Sequence, residues 1–234
     1  MNKHTLKNIA NTFGIATSHT LAVLVAVLAL VSLSAAQFKV SDNFNRPDGA
    51  PGLGWSRWGN GAQLNANQLE TFGEVNVAGG IQRTLDVTFP LRFSFDFSTA
   101  APNDGGWLIG FNAVGTTIYG GADISEVRLV QNNGATSVCM VFQTTSGPSS
   151  NCSNTVSGQR TFTAKAHVSV SLGSDFSATI VIKYNDGLSP SQVVLKAPAP
   201  VGAIQKPQGS ILFLGNANMT YGPHFFDNFM LSLD

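Results

Sequence analysis

Alternation of apolar and polar residues over short runs is the feature that most limits the fold of this chain. Residues 91–97, 168–172 and 176–184 each alternate in this way, and turn sequences such as 185–187 (Asn-Asp-Gly) separate the runs. Period-two alternation is typical of a strand with one buried face. No 3.6-residue apolar stripe follows Ala36. About a dozen short strands without helices predict an all-β fold, a two-sheet antiparallel β-sandwich.

The first 36 residues are predicted to be a secretory signal peptide. They begin with basic residues and no acidic ones, and the apolar run 21–33 ends in the small residues 34–36 (Ser-Ala-Ala), a cleavage pattern. A membrane-spanning helix needs about 20 apolar residues, which is longer than this run. Cleavage leaves one predicted domain, residues 37–234, without a stable membrane span. We expect it outside the cytoplasm, whether secreted, at the cell surface or in the periplasm.

Charged residues make up only 11% of the chain, with 13 Lys and Arg against 13 Asp and Glu. An average soluble protein has about 25%. This balance excludes a nucleic-acid partner that is bound through charge. The Phe and aliphatic content excludes a disordered chain. The surface is therefore expected to carry mainly neutral polar groups.

Cys139 and Cys152, the only two cysteines, are predicted to form a disulfide. The segment between them contains the turn sequence 144–150 (Thr-Thr-Ser-Gly-Pro-Ser-Ser), and two strands joined by such a turn would bring the sulfurs together. A disulfide that closes so short a loop contributes about 3 kcal/mol in the chain-entropy description. A reactive or metal-binding thiol pair is the alternative, but the CxxC spacing typical of such pairs is absent.

Two aspartates near the ends of the predicted domain share an apolar setting. Asp42 and Asp227 each stand in an Asp-Asn-Phe sequence, with large apolar residues two positions away. Alternation therefore puts both carboxylates on the core side, where a charge needs a partner or a metal. The candidates are Arg46, the amides of the turn 48–52, and a structural Ca²⁺ held by these carboxylates and loop carbonyls. Capping of local turns is the alternative. No other cofactor is predicted.

The same two segments resemble a known family. Residues 42–49 (Asp-Asn-Phe-Asn-Arg-Pro-Asp-Gly) with 53–55 (Leu-Gly-Trp) are similar to the opening of secreted bacterial concanavalin A-like (LamG-like) jelly-roll domains, and 226–229 (Phe-Asp-Asn-Phe) to their last strand. The resemblance implies a jelly roll of two curved sheets with its terminal strands side by side. It also implies a sugar-binding or adhesive module or, as in some members, a glycoside hydrolase. Trp55 directly after Gly54 departs from the family's spacing.

No arrangement of residues in the sequence predicts catalysis. The Glu-x-Asp-x-x-Glu strand of laminarinase-like hydrolases is absent. Glu70 and Glu74 are near enough in sequence to be considered as a glycosidase pair, with solvated loop charges as the alternative. His167 and His224 lack the spacing of a zinc site, and there is no Gly-x-Ser-x-Gly nucleophile elbow. We therefore name no catalytic residue.

Sugar binding is better supported, because sugar sites combine aromatic faces with amide and carboxylate groups. We predict that Trp58, Tyr119, Asp96 and Trp107 contribute to such a site. Trp58 and Tyr119, beside glycines, are expected to be exposed, and Asp96 lies on the non-core face of its strand. Trp107 opens an apolar run, so a core position is its alternative. The segment 63–68 adds several amides.

These patterns predict a secreted lectin-like module that binds extracellular carbohydrate, a polysaccharide or a glycan, without catalysis. The alternative is a self-assembling structural protein of a cell envelope, matrix or extracellular filament. A glycoside hydrolase is the second alternative. The faces of the sheets distinguish the first two, since clustered aromatic and amide groups favour binding, whereas a filled or flat face favours assembly.

Overall fold

The computed structural model describes residues 37–59, 61–72, 79–85, 87–100, 106–112, 124–132, 135–144, 147–153, 156–157, 162–199, 211–216 and 223–233. The chain divides into two compact units, Met1–Gln37 and Phe38–Asp234, and only the second, with Gln37, is described. The signal peptide predicted for residues 1–36 and the binding role predicted for Tyr119 lie outside the described residues and stay predictions. Within the described ranges, no helix has the length and apolar character needed to span a membrane.

The described residues form strands and no helix, which confirms the predicted all-β class. In chain order the strands are β1 (Gln37–Asp42), β2 (Ser56–Gly59), β3 (Ala62–Asn65), β4 (Gln68–Thr71), β5 (Gly79–Thr84), β6 (Leu91–Thr99), β7 (Trp107–Asn112), β8 (Ile124–Asn132), β9 (Ala135–Thr144), β10 (Gly147–Cys152), β11 (Val156–Ser157), β12 (Ala166–Leu172), β13 (Ala178–Lys183), β14 (Gln192–Ala197), β15 (Ile211–Asn216) and β16 (His224–Leu233).

The strands build two antiparallel sheets of eight strands each. Sheet A has the order β14-β13-β12-β6-β16-β4-β3, and β1 also pairs with β16. Sheet B has the order β10-β9-β8-β7-β15-β5-β2, and β11 also pairs with β9. The first and last strands are therefore neighbours, as the resemblance implied. Neighbours far apart in sequence, such as β4 and β16, bring distant polar segments onto one face.

The core lies between the sheets and follows the predicted alternation. In β6 the residues at odd numbers from Leu91 to Thr99 are buried, while those between them are at least partly exposed. The ring of Phe95 in sheet A packs edge-on against the ring of Trp107 in sheet B, with the ring centroids 5.1 Å apart. Phe93 lies 6.3 Å from Phe111 across the same interface. Because burial of a Phe side chain stabilises the fold by about 1.5–3 kcal/mol, these rings are a major source of stability.

A β-bulge in β16 corrects the predicted orientation of Asp227. The register of β16 against β6 shifts between Asp227 and Met230, and Asn228 has a φ of 50°. The extra residue reverses the alternation, so Phe226 and Phe229 are both fully buried. Asp227 therefore lies on the outer face of sheet A and not on the core side.

The predicted disulfide is confirmed. Cys139 of β9 lies directly opposite Cys152 of β10 in the antiparallel register, and the two form a disulfide with their Cα atoms 4.0 Å apart. The bond links two neighbouring strands of sheet B.

Candidate functional site

Asp42 is held entirely by donors from the protein. It is 8% exposed. Its Oδ1 accepts hydrogen bonds from the Phe44 N–H at 2.7 Å and from Arg46 Nη1 at 2.7 Å, and its Oδ2 accepts from Arg46 Nη2 at 3.0 Å and from Trp55 Nε1 at 2.9 Å. A carboxylate has about four acceptor positions, and all are filled. Asp42 therefore does not fit the predicted calcium site, and Arg46 balances its charge.

Asp42, Arg46 and Trp55, here called the Asp42 clasp, come from the motif that carries the family resemblance. Arg46 Nε also donates to the carbonyl of Pro51 at 2.8 Å, and the ring of Trp55 meets that of Phe229 edge-on at 6.0 Å. The clasp thus fastens the loop after β1 to the core. Its function is structural, which explains why the motif is dense in polar groups without forming an open site.

The two tryptophans predicted to bind sugar are both buried. Trp107 is fully buried within the core. This is the position predicted as the alternative to a role in sugar binding. Trp58 is only 6% exposed, so the expectation of an exposed ring is corrected. A buried indole has no free face on which a sugar ring could stack.

Glycines explain the burial of Trp58. It stands opposite Gly80 of β5, which in turn stands opposite Gly215 of β15. A Cβ atom on Gly215 would lie 2.9 Å from Trp58 Cζ2, closer than real Cβ contacts. The absent side chain therefore lets the ring lie against the strand backbone, and its Nε1 donates to the Ile81 carbonyl at 3.0 Å.

Asp96, the third predicted binding residue, lies on the outer face of sheet A in a network of hydrogen bonds. Its Oδ1 is 2.8 Å from His167 Nδ1, and its Oδ2 accepts from Asn228 Nδ2 at 2.8 Å. Asp227 stands opposite Asp96 in the register, and Lys165 Nζ donates to Asp227 Oδ2 at 2.9 Å. We call these five residues the Asp96 network. It is open to solvent, because 20% of the Asp96 side chain and 40% of the His167 side chain are exposed.

The bond to Asp96 orders the imidazole of His167. Since the carboxylate can only accept, Nδ1 of the ring donates this hydrogen bond. The second carboxylate, Asp227, has the Lys165 ammonium as a counter-charge. The network thus offers oriented acceptors and donors at a solvent-exposed surface.

A second polar group lies on the same face, with its carboxylate buried (Glu70 is 8% exposed) and its two amide side chains partly exposed. Glu70 of β4 accepts hydrogen bonds at Oε2 from Gln63 Nε2 at 2.9 Å and Asn65 Nδ2 at 3.0 Å. We call these three residues the Glu70 cluster. Phe225 of β16 stands opposite Glu70 on one side and opposite Ser98 of β6 on the other. Its ring is partly exposed, so an aromatic surface lies between the Glu70 cluster and the Asp96 network.

Sequence reasoning missed the central residue of this face. Phe225 was expected on the core side with Asp227, because the alternation was extended through the bulge. The one signal for the bulge was Asn228, since asparagine tolerates positive φ better than most residues. Glu70 was considered only with Glu74, which lies outside the described residues. The structure places Glu70 in a strand, bonded to two of the amides of the segment 63–68.

The structure does not bring the predicted binding residues together. Trp107 is in the core, Trp58 is on sheet B and Asp96 is on the outer face of sheet A. In the part of the chain that the structure describes, no group of three or more His, Cys, Asp and Glu side chains is arranged to hold a metal ion. Calcium binding that involves Asp227 stays a prediction.

Comparison with known proteins gives the fold. No family profile matches the sequence, and no curated protein matches it. Among solved structures, lectin II from Ulex europaeus has a TM-score of 0.58 and 13% identity, over 84% of this chain and 99% of that one. Arcelin-5, a lectin-like defense protein from Phaseolus vulgaris, has a TM-score of 0.55 and 12% identity, over 82% and 97%.

A third similar structure is the exoplasmic/lumenal domain of VIP36 in a Ca²⁺/Man3GlcNAc-bound form. It has a TM-score of 0.51 and 10% identity, over 77% of this chain and 83% of that one. At such identities the likeness shows the fold alone. The chain therefore has a legume-lectin-like sandwich, which confirms the concanavalin A-like part of the resemblance. A LamG-like relationship and a bacterial source stay predictions.

Proposed function

We propose that this domain is a lectin-like module that binds carbohydrate, without catalysis, through the outer face of sheet A. The observation that carries the proposal is the position of Phe225, partly exposed between the Glu70 cluster and the Asp96 network. Sugars are recognised by stacking of a ring face on an aromatic side chain and by hydrogen bonds from hydroxyls to planar polar groups. This face supplies both kinds of contact.

The polar groups of this face are already ordered before a ligand arrives. Glu70 is fixed by two amides, and Asp96 is fixed by His167 and Asn228. Two bonds fill about half of the acceptor capacity of a carboxylate, so Asp96, with 20% of its side chain exposed, can still accept a bond from a sugar hydroxyl. Glu70 is only 8% exposed, and its role is to orient the partly exposed amides of Gln63 and Asn65. Preorganisation lowers the entropy lost on binding, which favours recognition of a weakly binding ligand such as a sugar.

The fold comparison supports the same class of function, because the similar structures include a lectin and a domain bound to Man3GlcNAc. The Cys139–Cys152 disulfide supports the proposed location, since disulfides persist in oxidising compartments. Together with the predicted signal peptide, the disulfide favours a secreted or extracellular protein.

Glycan-array screening of the purified domain, followed by calorimetry with the best glycan, tests the proposal. We expect Phe225→Ala and Asp96→Asn each to weaken binding about tenfold or more, because each removes one type of contact worth about 1.4 kcal/mol. The matched control for Asp96→Asn is Asp175→Asn, the same substitution in an exposed turn. The matched control for Phe225→Ala is Leu53→Ala, at an apolar residue that is 70% exposed. The proposal fails if no glycan binds, or if both site variants bind like the wild type.

Self-assembly is the second candidate function. Val194 is 45% exposed on β14, which stands at the end of the strand order of sheet A. An exposed apolar residue on an edge strand favours strand-to-strand association. Light scattering distinguishes this function, since Val194→Lys would abolish any oligomer while leaving glycan binding intact.

A further inference from the structure

We propose that the ligand is a chain of neutral sugars lying across the strands of sheet A, with the Glu70 cluster and the Asp96 network binding different sugar units. This inference rests on the proposed function and adds the class of ligand. Its basis is the separation of the two polar groups, which lie on opposite sides of Phe225.

The strand order of sheet A places the groups in a row. Gln63 belongs to β3, Glu70 to β4, Phe225 to β16, Asp96 to β6 and His167 to β12, and these strands are consecutive neighbours. Neighbouring strands lie about 4.8 Å apart, so the four steps from β3 to β12 span about 19 Å, the length of about three or four linked pyranose rings. A single sugar on Phe225 would not reach both ends.

The register shows how a chain would be held. Phe225 stands directly opposite Glu70 and Ser98, while Asp96 lies two residues from Ser98 along β6 and opposite His167 of β12. A sugar stacked on the phenyl ring therefore has one neighbouring unit beside the Gln63 and Asn65 amides that Glu70 orients. The neighbouring sugar unit on the other side lies beside the Asp96 network, which is displaced by two residues along β6 from Ser98. The site is divided into a central aromatic subsite and two polar subsites.

The charges of this face select against acidic chains. Within the two polar groups, three carboxylates, those of Glu70, Asp96 and Asp227, lie with one ammonium group, that of Lys165. The other cations of this face lie outside these groups: Lys183 on β13, Lys196 on β14, and Arg92 four residues from Asp96 on β6. At the polar subsites themselves the carboxylates therefore outnumber the ammonium groups. A uronic-acid or sulfated chain would meet net repulsion, whereas hydroxyls can both donate to the carboxylates and accept from the amides and ammonium groups.

Calorimetry with oligosaccharides of increasing length tests this inference. The probes are neutral glucose, galactose and mannose oligomers of one to about six units, with oligogalacturonates as the acidic series. For the neutral sugar that binds, we expect affinity to rise about tenfold or more from the monosaccharide to about the tetrasaccharide and then level off, because longer chains extend beyond the row of strands. Acidic oligomers of equal length should bind more weakly.

Variants at the two ends give the sharper result. Glu70→Gln and Asp96→Asn should each reduce tetrasaccharide affinity about tenfold while changing monosaccharide affinity much less. Asp175→Asn is the control, and Gln63→Ala replaces Glu70→Gln if melting curves show that the latter is unfolded. Equal affinity for the monosaccharide and the tetrasaccharide would overturn the inference but leave the proposed function standing. Absence of binding at every length would overturn both.

Discussion

Removal of the Asp42 carboxylate should cost more stability than any other single change at an aspartate of the described residues. Asp42→Ala leaves the buried Trp55 indole N–H without its acceptor, which costs about 1–3 kcal/mol. It also leaves the Arg46 guanidinium without its counter-charge. Loss of a partner from a fully buried pair costs about 3–5 kcal/mol, but 19% of the Arg46 side chain is exposed, which reduces that figure.

We therefore expect Asp42→Ala to lower the free energy of unfolding by about 3 kcal/mol, or Tm by roughly 6–12 °C for a domain of this size. Urea unfolding followed by tryptophan fluorescence measures the change, with an unaltered m-value as evidence for two-state behaviour. Asp48→Ala is the control, because Asp48 is exposed and accepts one bond, from the Ala66 N–H at 3.0 Å, worth about 1 kcal/mol. If Asp42→Ala loses no more stability than Asp48→Ala, the reasoning about the clasp is refuted.

Three further predictions concern ions, pH and the disulfide. Excess EDTA should not lower Tm through Asp42, because its acceptors are filled by protein donors. A fall in Tm would therefore assign a stabilising cation to another site, such as the one predicted at Asp227. The hydroxyl of Ser177 and, next, its N–H lower the pKa of Asp175. Ser177→Ala should thus raise that pKa toward its ordinary value in an NMR titration, and an unmoved pKa would contradict this cause. A lowered pKa means that the stability from this turn is present above about pH 4 and is lost as the pH falls through the pKa of the folded state. Reduction of the disulfide should lower the free energy of unfolding by about 3 kcal/mol, and equal urea midpoints with and without reductant would contradict it.

Alternation in the sequence predicted the inward side chains of β6, β12 and β13 correctly, because buried and more exposed residues alternate without interruption along each of these strands. It was wrong in β16, where one extra residue turns Asp227 outward and Phe226 inward. A period-two pattern assigns faces only while strand pairing keeps its register. The bulge was decided by pairing with β6, a strand far away in sequence.

The sequence also allowed the charged partner of Asp42 to be predicted. Arg46 is near in the chain, and a charge on the core side requires compensation, so the ion pair was among the predicted arrangements. Trp55 as a second partner was not predicted, because its indole N–H reaches Asp42 only after the loop folds back toward the core. The burial of Trp58 likewise depends on glycines of two other strands, which no local pattern connects with it.

The sequence by itself determined the all-β class, the inward residues of the continuous strands and the disulfide, because each follows from local periodicity or from a single available pair. Only the tertiary structure decided which strands are neighbours. That order puts Glu70, Phe225 and Asp96 on one face, although they come from three separate parts of the chain. Local patterns tell which side of a strand a residue occupies, whereas the packing of the whole core selects the strand beside it.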